Sequence, residues 1–453
     1  MENPGNFNEP PSRPKNFEEA FAQKIALETA AEKPPANSSD KKVRLIVIII
    51  SFSLIILGML AYLIFFMKSS PLYYFWSAEE KDQVSREATP VDSPDNSPAE
   101  SAANSASKNP VKKFYSTLSG EEISDESLNS SPTFCVQVPN GVDGARPQAG
   151  LDDAKVVFEA IAEAGITRFA AIFQNPTVTA IGPIRSLRIY YYDWDVPFNC
   201  TVVHSGGAPD AIAALNSSTS LHNLDESLTY MWRSNSNGTL NRLWNNLFTS
   251  SENLKKFSTD KSYLSSDIKS FAHFTPDEEK LEKINAQIVE KLDIDEPAAG
   301  DTKTLSPKVT KISLNIGNMP TFNPVYTYNP EKNSYDRSYA TGAEHLVYHC
   351  SAEVTTPETD CGEAVQLSPK VVVAMLVEER KQSDNYHEDI STLGAGDAYI
   401  FENGTVIEGT WEKASKESQI VFKDRENNEI RLNPGQVWIT AIPRSYGGSV
   451  FYE

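Results

Sequence analysis
The chain has 453 residues, and its 61 acidic against 41 basic side chains give a formal net charge of −20. That balance excludes a nucleic-acid binder, which needs a basic face, and bears mainly on solubility. The length allows two or three domains.

Residues 1–42 are rich in Pro, Asn, Glu and Lys and read as a disordered cytoplasmic tail. Within it, Phe17, Phe21, Ile25 and Leu27 fall near a helical repeat, enough for a weak helix that could dock a partner. Residues 43–68 read as a transmembrane helix, because the stretch 45–67 (LIVIIISFSLIILGMLAYLIFFM) holds no charge. At about 1.5 Å of rise per residue it reaches about 34 Å, enough to cross a hydrocarbon core of roughly 30 Å. The competing reading, a cleaved signal peptide, calls for an apolar region of about 7–15 residues and a small-residue cleavage site. Lys41, Lys42 and Arg44 crowd one edge of the run and Lys68 the other. The positive-inside bias then places the N-terminus in the cytoplasm and the remainder outside.

Residues 69–131 begin with aromatics suited to the headgroup level (PLYYFW, 71–76) and continue as a Ser-, Pro-, Asn- and acid-rich segment. They read as a flexible stalk. An α/β layer domain is expected over 132–300. Its elements are a short strand at 133–138 (TFCVQV), a helix over 152–164 with Val156, Val157, Ala160, Ile161 and Ala164 on one face, and a strand at 167–174. Asp152 or Asp153 would cap that helix and Gly165 end it. A tight turn at Gly182-Pro183, a Tyr-rich helical stretch, a strand at 200–204 and a helix at 209–215 continue the alternation. Residues 216–310 are polar, with Trp232, Trp244 and Phe248 as isolated apolar anchors and a helix over 276–292. Residues 301–453 change to short β runs and predict an antiparallel β domain, a sandwich or open barrel. There 371–377 (VVVAMLV) reads as a central strand and 394–399 (GAGDAY) as a β-turn. The whole is α+β.

All four cysteines, Cys135, Cys200, Cys350 and Cys361, follow the apolar run, which fits two disulfides in an oxidising space. Of three formal pairings, Cys350–Cys361 brackets a turn-rich loop, and Cys135 and Cys200 fall in strands of one proposed sheet. Zinc is the alternative, but no C-x2-C spacing or nearby His pair supports it, and no metal or cofactor is expected.

Residues 145–151 (ARPQAGL), AGITRF, IGPIRSLR and VVHSGGAP, together with 394–443, carry a resemblance. They resemble the N- and C-terminal domains of the YerB-like family, a bacterial group known as domain of unknown function 3048, across about residues 133–443. The resemblance implies an extracytoplasmic, membrane-anchored protein, often a lipoprotein. No lipobox cysteine stands near the apolar run here. It implies no reaction.

Arg146, Arg168, Arg185 and Arg188 flank turns or strand ends, where guanidinium forks can hold a carboxylate or phosphate. On the expected helix Glu159 and Glu163 lie one turn apart and repel unless cations sit nearby. One reading is a cleft where these groups, with Ser186, converge on a peptide or cell-wall fragment. The other is a structural ion-pair network. His204, beside Ser205-Gly206-Gly207, is the most enzyme-like residue, but no G-x-S-x-G pattern surrounds it and no catalytic set can be assigned. His345, His349 and His387 read as surface or satisfied core side chains. Two functions remain: an envelope binding or scaffold module, with the bilayer (through 45–67), peptidoglycan or an envelope protein as partners, and a cell-wall hydrolase or transferase using Glu159, Glu163 or His204.

Overall fold
The computed structural model describes residues 112–234, 245–280, 308–351, 356–384 and 386–453. The expected tail, the apolar run 43–68 and the stalk as far as residue 111 lie outside these residues, as do Trp244 and most of the helix expected over 276–292. Among the described residues no helix is long and apolar enough to cross a membrane.

Residues 112–131 depart from the expected stalk. Strands Phe114–Tyr115 and Glu122–Ile123 pair, and Asp125 caps a 3-10 turn, Glu126–Ser130, by accepting from the Ser127 N–H at 2.8 Å. Leu118 reaches the main core, a single anchor that the polar composition around it hides.

Ten strands form the main sheet: β1 (Thr133–Pro139), β2 (Val156–Glu163), β3 (Ile166–Gln174), β4 (Thr201–Val203), β5 (His222–Leu224), β6 (Val371–Val377), β7 (Gly394–Glu402), β8 (Thr405–Lys413), β9 (Val421–Lys423) and β10 (Val437–Pro443). Their order is β9-β8-β7-β6-β10-β2-β3-β1-β4-β5. Both sequence halves thus contribute to one sheet, joined where β10 runs parallel to β6 on one side and to β2 on the other. The purely antiparallel second half is corrected by that pair of contacts. Residues 371–377 do lie centrally, as β6.

The helix expected over 152–164 is replaced by a 3-10 turn, Leu151–Asp153, and β2. β2 is buried on both faces apart from its last residue, so its apolar side chains do not alternate with polar ones and their spacing imitates a helical face. Ala164 and Gly165 both have positive φ (49° and 80°) and close a two-residue hairpin into β3. The expected turn at 394–399 is the first part of β7. Its Gly396 is required because a Cβ there would meet the Trp411 ring and the Leu376 carbonyl at under 3 Å.

Helices α1 (Ile189–Asp195) and α2 (Pro209–Ser217) cover one face of the sheet, burying Tyr190, Tyr191, Trp194 and Leu215 against Val156, Phe158 and Ile172. The opposite face, with Val157, Phe169 and Trp438, packs against helix α3 (Ser251–Lys261) and a four-stranded sheet of Lys311–Asn315, Pro324–Asn329, Ser334–Tyr339 and Ser449–Tyr452. Disulfides join Cys135 to Cys200 and Cys350 to Cys361, with Cα–Cα separations of 5.9 and 4.6 Å.

Candidate functional site
Both glutamates singled out by the sequence lie on β2, on a strand and not a helix. Residues four apart on a regular strand share a face. Here the register against β3 shifts between Ile161 and Glu163, and a bulge re-aims the side chain that follows it. Glu159 meets Arg337 of the four-stranded sheet, whereas Glu163 meets Arg188 at the start of α1.

The surroundings of Glu159 are sealed. Glu159 and Arg337 have no solvent exposure, and Arg337 Nη2 donates to both carboxylate oxygens at 3.1 and 2.8 Å. Thr167 Oγ1 and Trp438 Nε1 also donate to that carboxylate, at 3.1 and 3.0 Å. Arg337 Nη1 donates to His345 Nδ1, so the remaining ring proton lies on Nε2 and donates to Gln148 Oε1 at 3.0 Å. Burial, then the charges of Arg337 and Arg146, hold His345 well below its ordinary pKa, which keeps the imidazole neutral. Arg146 joins the same network. Its Nε donates to Asn140 Oδ1 at 2.8 Å, and its guanidinium lies 3.7 Å from the centre of the Tyr339 ring. This arrangement ties β2, β3, β10 and the strand Ser334–Tyr339 together around a carboxylate that solvent does not reach.

The surroundings of Glu163 are unbalanced. Arg168 and Arg188 each take one of its oxygens, at 2.6 and 2.5 Å. Arg168 also donates to the Ser186 carbonyl at 2.6 Å, which is the part Ser186 plays. The Nε atoms of both arginines are buried and have no hydrogen-bond partner. Arg185 lies close enough for burial and then the Arg168 charge to push its guanidinium below its ordinary pKa, with Glu163 and Asp143 opposing. Burial alone would raise Glu163, but the charges of Arg168 and Arg188, the Arg188 hydrogen bond and the Arg185 charge outweigh it and hold the carboxyl below its ordinary value. The cluster thus sets three guanidiniums against the carboxylates of Glu163 and Asp143. Its rim includes Asp143 and the half-exposed Tyr386 ring, whose hydroxyl feels Glu163, Arg188 and Arg168. A backbone bridge between Glu163 and His387 brings that loop to the end of β2.

His204 is fully buried, with Nδ1 at 2.8 Å from the Gly206 carbonyl and Nε2 at 2.9 Å from Asn223 Oδ1. Neither nitrogen is open to a substrate. The candidates therefore do not converge on one cleft. Arg146 and Glu159 belong to the sealed network, Glu163, Arg168, Arg185, Ser186 and Arg188 to the cationic cluster, and His204 to its own loop. His349 pairs with Asp152 and His387 with Asp384, both at 2.6 Å.

Sequence reasoning missed Arg337, Tyr386 and the buried pair Glu379 and Glu388. Tyr335, Arg337 and Tyr339 alternate along one strand and are all buried; that period of two was the available signal for an inward-facing arginine. Burial, then the neighbouring Glu388, push Glu379 up to about 8, against Lys381. Two concavities lie elsewhere. One is a groove of about 500 Å³ on the four-stranded sheet, lined by Ser313, Val325, Thr327 and Phe451 among others, and the second holds about 280 Å³ beside Glu121 and Lys155. Among the described residues one trio of potential metal-ligating side chains lies close together, Cys135, Asp195 and Cys200, but the disulfide consumes both thiols.

The chain matches the family described as "Protein of unknown function (DUF3048) N-terminal domain" over residues 118–264, and its C-terminal domain over residues 312–439. It is similar to "Putative lipoprotein YerB" of Bacillus subtilis (strain 168), 25% identical over 335 residues, which cover 74% of this chain and 87% of that protein. It is also similar to the crystal structure of YerB protein from Bacillus subtilis, with a TM-score of 0.57 and 23% identity, covering 75% of this chain and 100% of that one. This second likeness is one of fold.

Proposed function
The chain belongs to the DUF3048 family, its two domain matches spanning more than half its length, and from that premise we propose a binding module held at the outer face of a bacterial plasma membrane. The uncharged run at 45–67 supplies the anchor, with Lys41, Lys42 and Arg44 keeping the N-terminus cytoplasmic. Two disulfides beyond it suit an oxidising compartment, and the similar Bacillus subtilis protein carries the name of a lipoprotein. Protease added to intact cells should remove the C-terminal region; its survival with reduced thiols would sink this topology.

The module captures an anionic group, the carboxylate of a peptide or wall fragment, at the Glu163 cluster. The single observation that carries this reading is three guanidiniums, Arg168, Arg185 and Arg188, gathered against two carboxylates, Glu163 and Asp143, the first of which is held by two of them. Like charges brought together out of water are costly without a counter-charge, and planar forks suit carboxylates. The hydrolase reading is carried less well: Glu159 is sealed, Glu163 is doubly ion-paired and His204 has both nitrogens occupied. Incubation with muropeptides, followed by mass spectrometry and melting temperature, tests both readings. A saturable melting shift without mass change supports the binder, and cleaved product would replace it with an enzyme. Absence of any shift would overturn wall-fragment capture.

A further inference from the structure
The short hairpin formed by Glu379–Lys381 and Glu388–Ile390 carries two glutamates into the interior. Glu379 is 3% exposed and Glu388 is 2% exposed. Lys381 lies opposite Glu388, and Glu379 lies opposite Ile390. The two carboxyls are thus diagonal neighbours on one face of the hairpin, with a backbone separation of about 7–8 Å. Lys381 Nζ donates to Glu388 Oε1 at 2.8 Å. The other three oxygens, both of Glu379 and Oε2 of Glu388, are buried without a hydrogen-bond partner.

Buried carboxylate oxygens are costly unless paired or coordinated. The three belong to an oxygen-only pair of carboxyls, Glu379, which burial and the neighbouring Glu388 push up to about 8, and Glu388, which Lys381 already partners. A cation bound there takes the place of the Glu379 proton, which leaves to water. Nitrogen and sulfur donors are missing from this set, which disfavours zinc and copper and suits a hard cation. Calcium tolerates irregular sets of carboxylates filled out by water, and water can enter beside Lys381, whose side chain is 39% exposed. The hairpin is also braced from outside. Ser445 Oγ donates to the Glu379 carbonyl, which ties the 3-10 turn Arg444–Tyr446 to it.

We propose that Glu379 and Glu388 form a binding site for a hard divalent cation of the calcium class. The site is separate from the anion-binding reading, and either can fail alone. The cation would fix the hairpin whose loop sets His387 against Glu163.

The test uses the full chain in detergent, stripped with EGTA and titrated with CaCl2, MgCl2 and TbCl3. Terbium at the site should give saturable luminescence sensitised by Tyr446, which lies within electrostatic reach of both glutamates, and calcium should displace it. At about 100 times its Kd calcium should raise the melting temperature by roughly 4–6 °C. Glu379→Gln should lose both responses, and Glu388→Gln repeats the measurement should the first variant fail to fold. A wild-type chain with no saturable response up to about 10 mM calcium would overturn the proposal. So would a Glu379→Gln chain that responds like wild type.

Discussion
Glu159 and Glu163 stand four residues apart on one strand, yet they live in different worlds. Glu159 faces one guanidinium and two neutral donors with no solvent contact. Glu163 keeps 14% of its side chain exposed and is met by two guanidiniums with a third nearby. The first has its charge matched and holds the four-stranded sheet onto the main one. The second sets three guanidiniums against Glu163 and Asp143, the arrangement on which the proposed anion capture rests. Residue type does not separate a sealed carboxylate from one set in a part-exposed cluster of guanidiniums; the balance of charge around it does.

The largest effect should come from the sealed side. Glu159→Gln leaves the Arg337 charge buried and unpaired, and should cost about 3–5 kcal/mol in urea unfolding. A loss below about 1 kcal/mol would erase the difference between the two carboxylates. Glu163→Gln should cost less, about 1–3 kcal/mol, because solvent reaches that side chain. Phosphate should restore part of this second loss and none of the first. Equal rescue of both variants would mean a general salt effect. Arg185→Ala should change stability by under about 1 kcal/mol, since its side chain is part-exposed, while abolishing the stabilisation of the wild type by phosphate.

The smallest effect is a pH dependence. Arginine charge holds Glu163 below its ordinary value of 4.5 in the folded chain. Its contribution is therefore complete above about 4.5 and drains away as pH falls through the lower folded value. Wild type and Glu163→Gln should converge in stability at acidic pH. A gap that persists unchanged down to about pH 2 would show that the carboxylate charge is not what matters.

Much of this was legible along the chain. The strands at 133–138, 167–174 and 371–377, the helices after Leu187 and at 209–215, and both disulfide pairings follow from apolar runs, turn residues and the positions of four cysteines. Residues 156–163 misled because a strand buried on both faces lacks alternation, and Ala164-Gly165 serves a hairpin as well as a helix end. Of the site, the sequence grouped Arg146, Arg168, Arg185 and Arg188, and the structure brings the last three together while Arg146 joins the Glu159 network. Arg337 was missed because only the alternation of Tyr335, Arg337 and Tyr339 in SYDRSY announces it, with no apolar run beside it.

By itself the sequence determined which segments are apolar, where the chain turns, and that the thiols pair beyond an uncharged stretch long enough for a bilayer. Those are properties of neighbours along the chain. Only the tertiary structure decided that β10 lies between β6 and β2, that a bulge sends Glu159 and Glu163 to different partners, and that Arg337 closes on Glu159 from 178 residues away. The reason is physical: strand pairing and charge burial depend on what arrives from distant parts of the chain, and one shifted residue in a strand register changes which face a side chain meets.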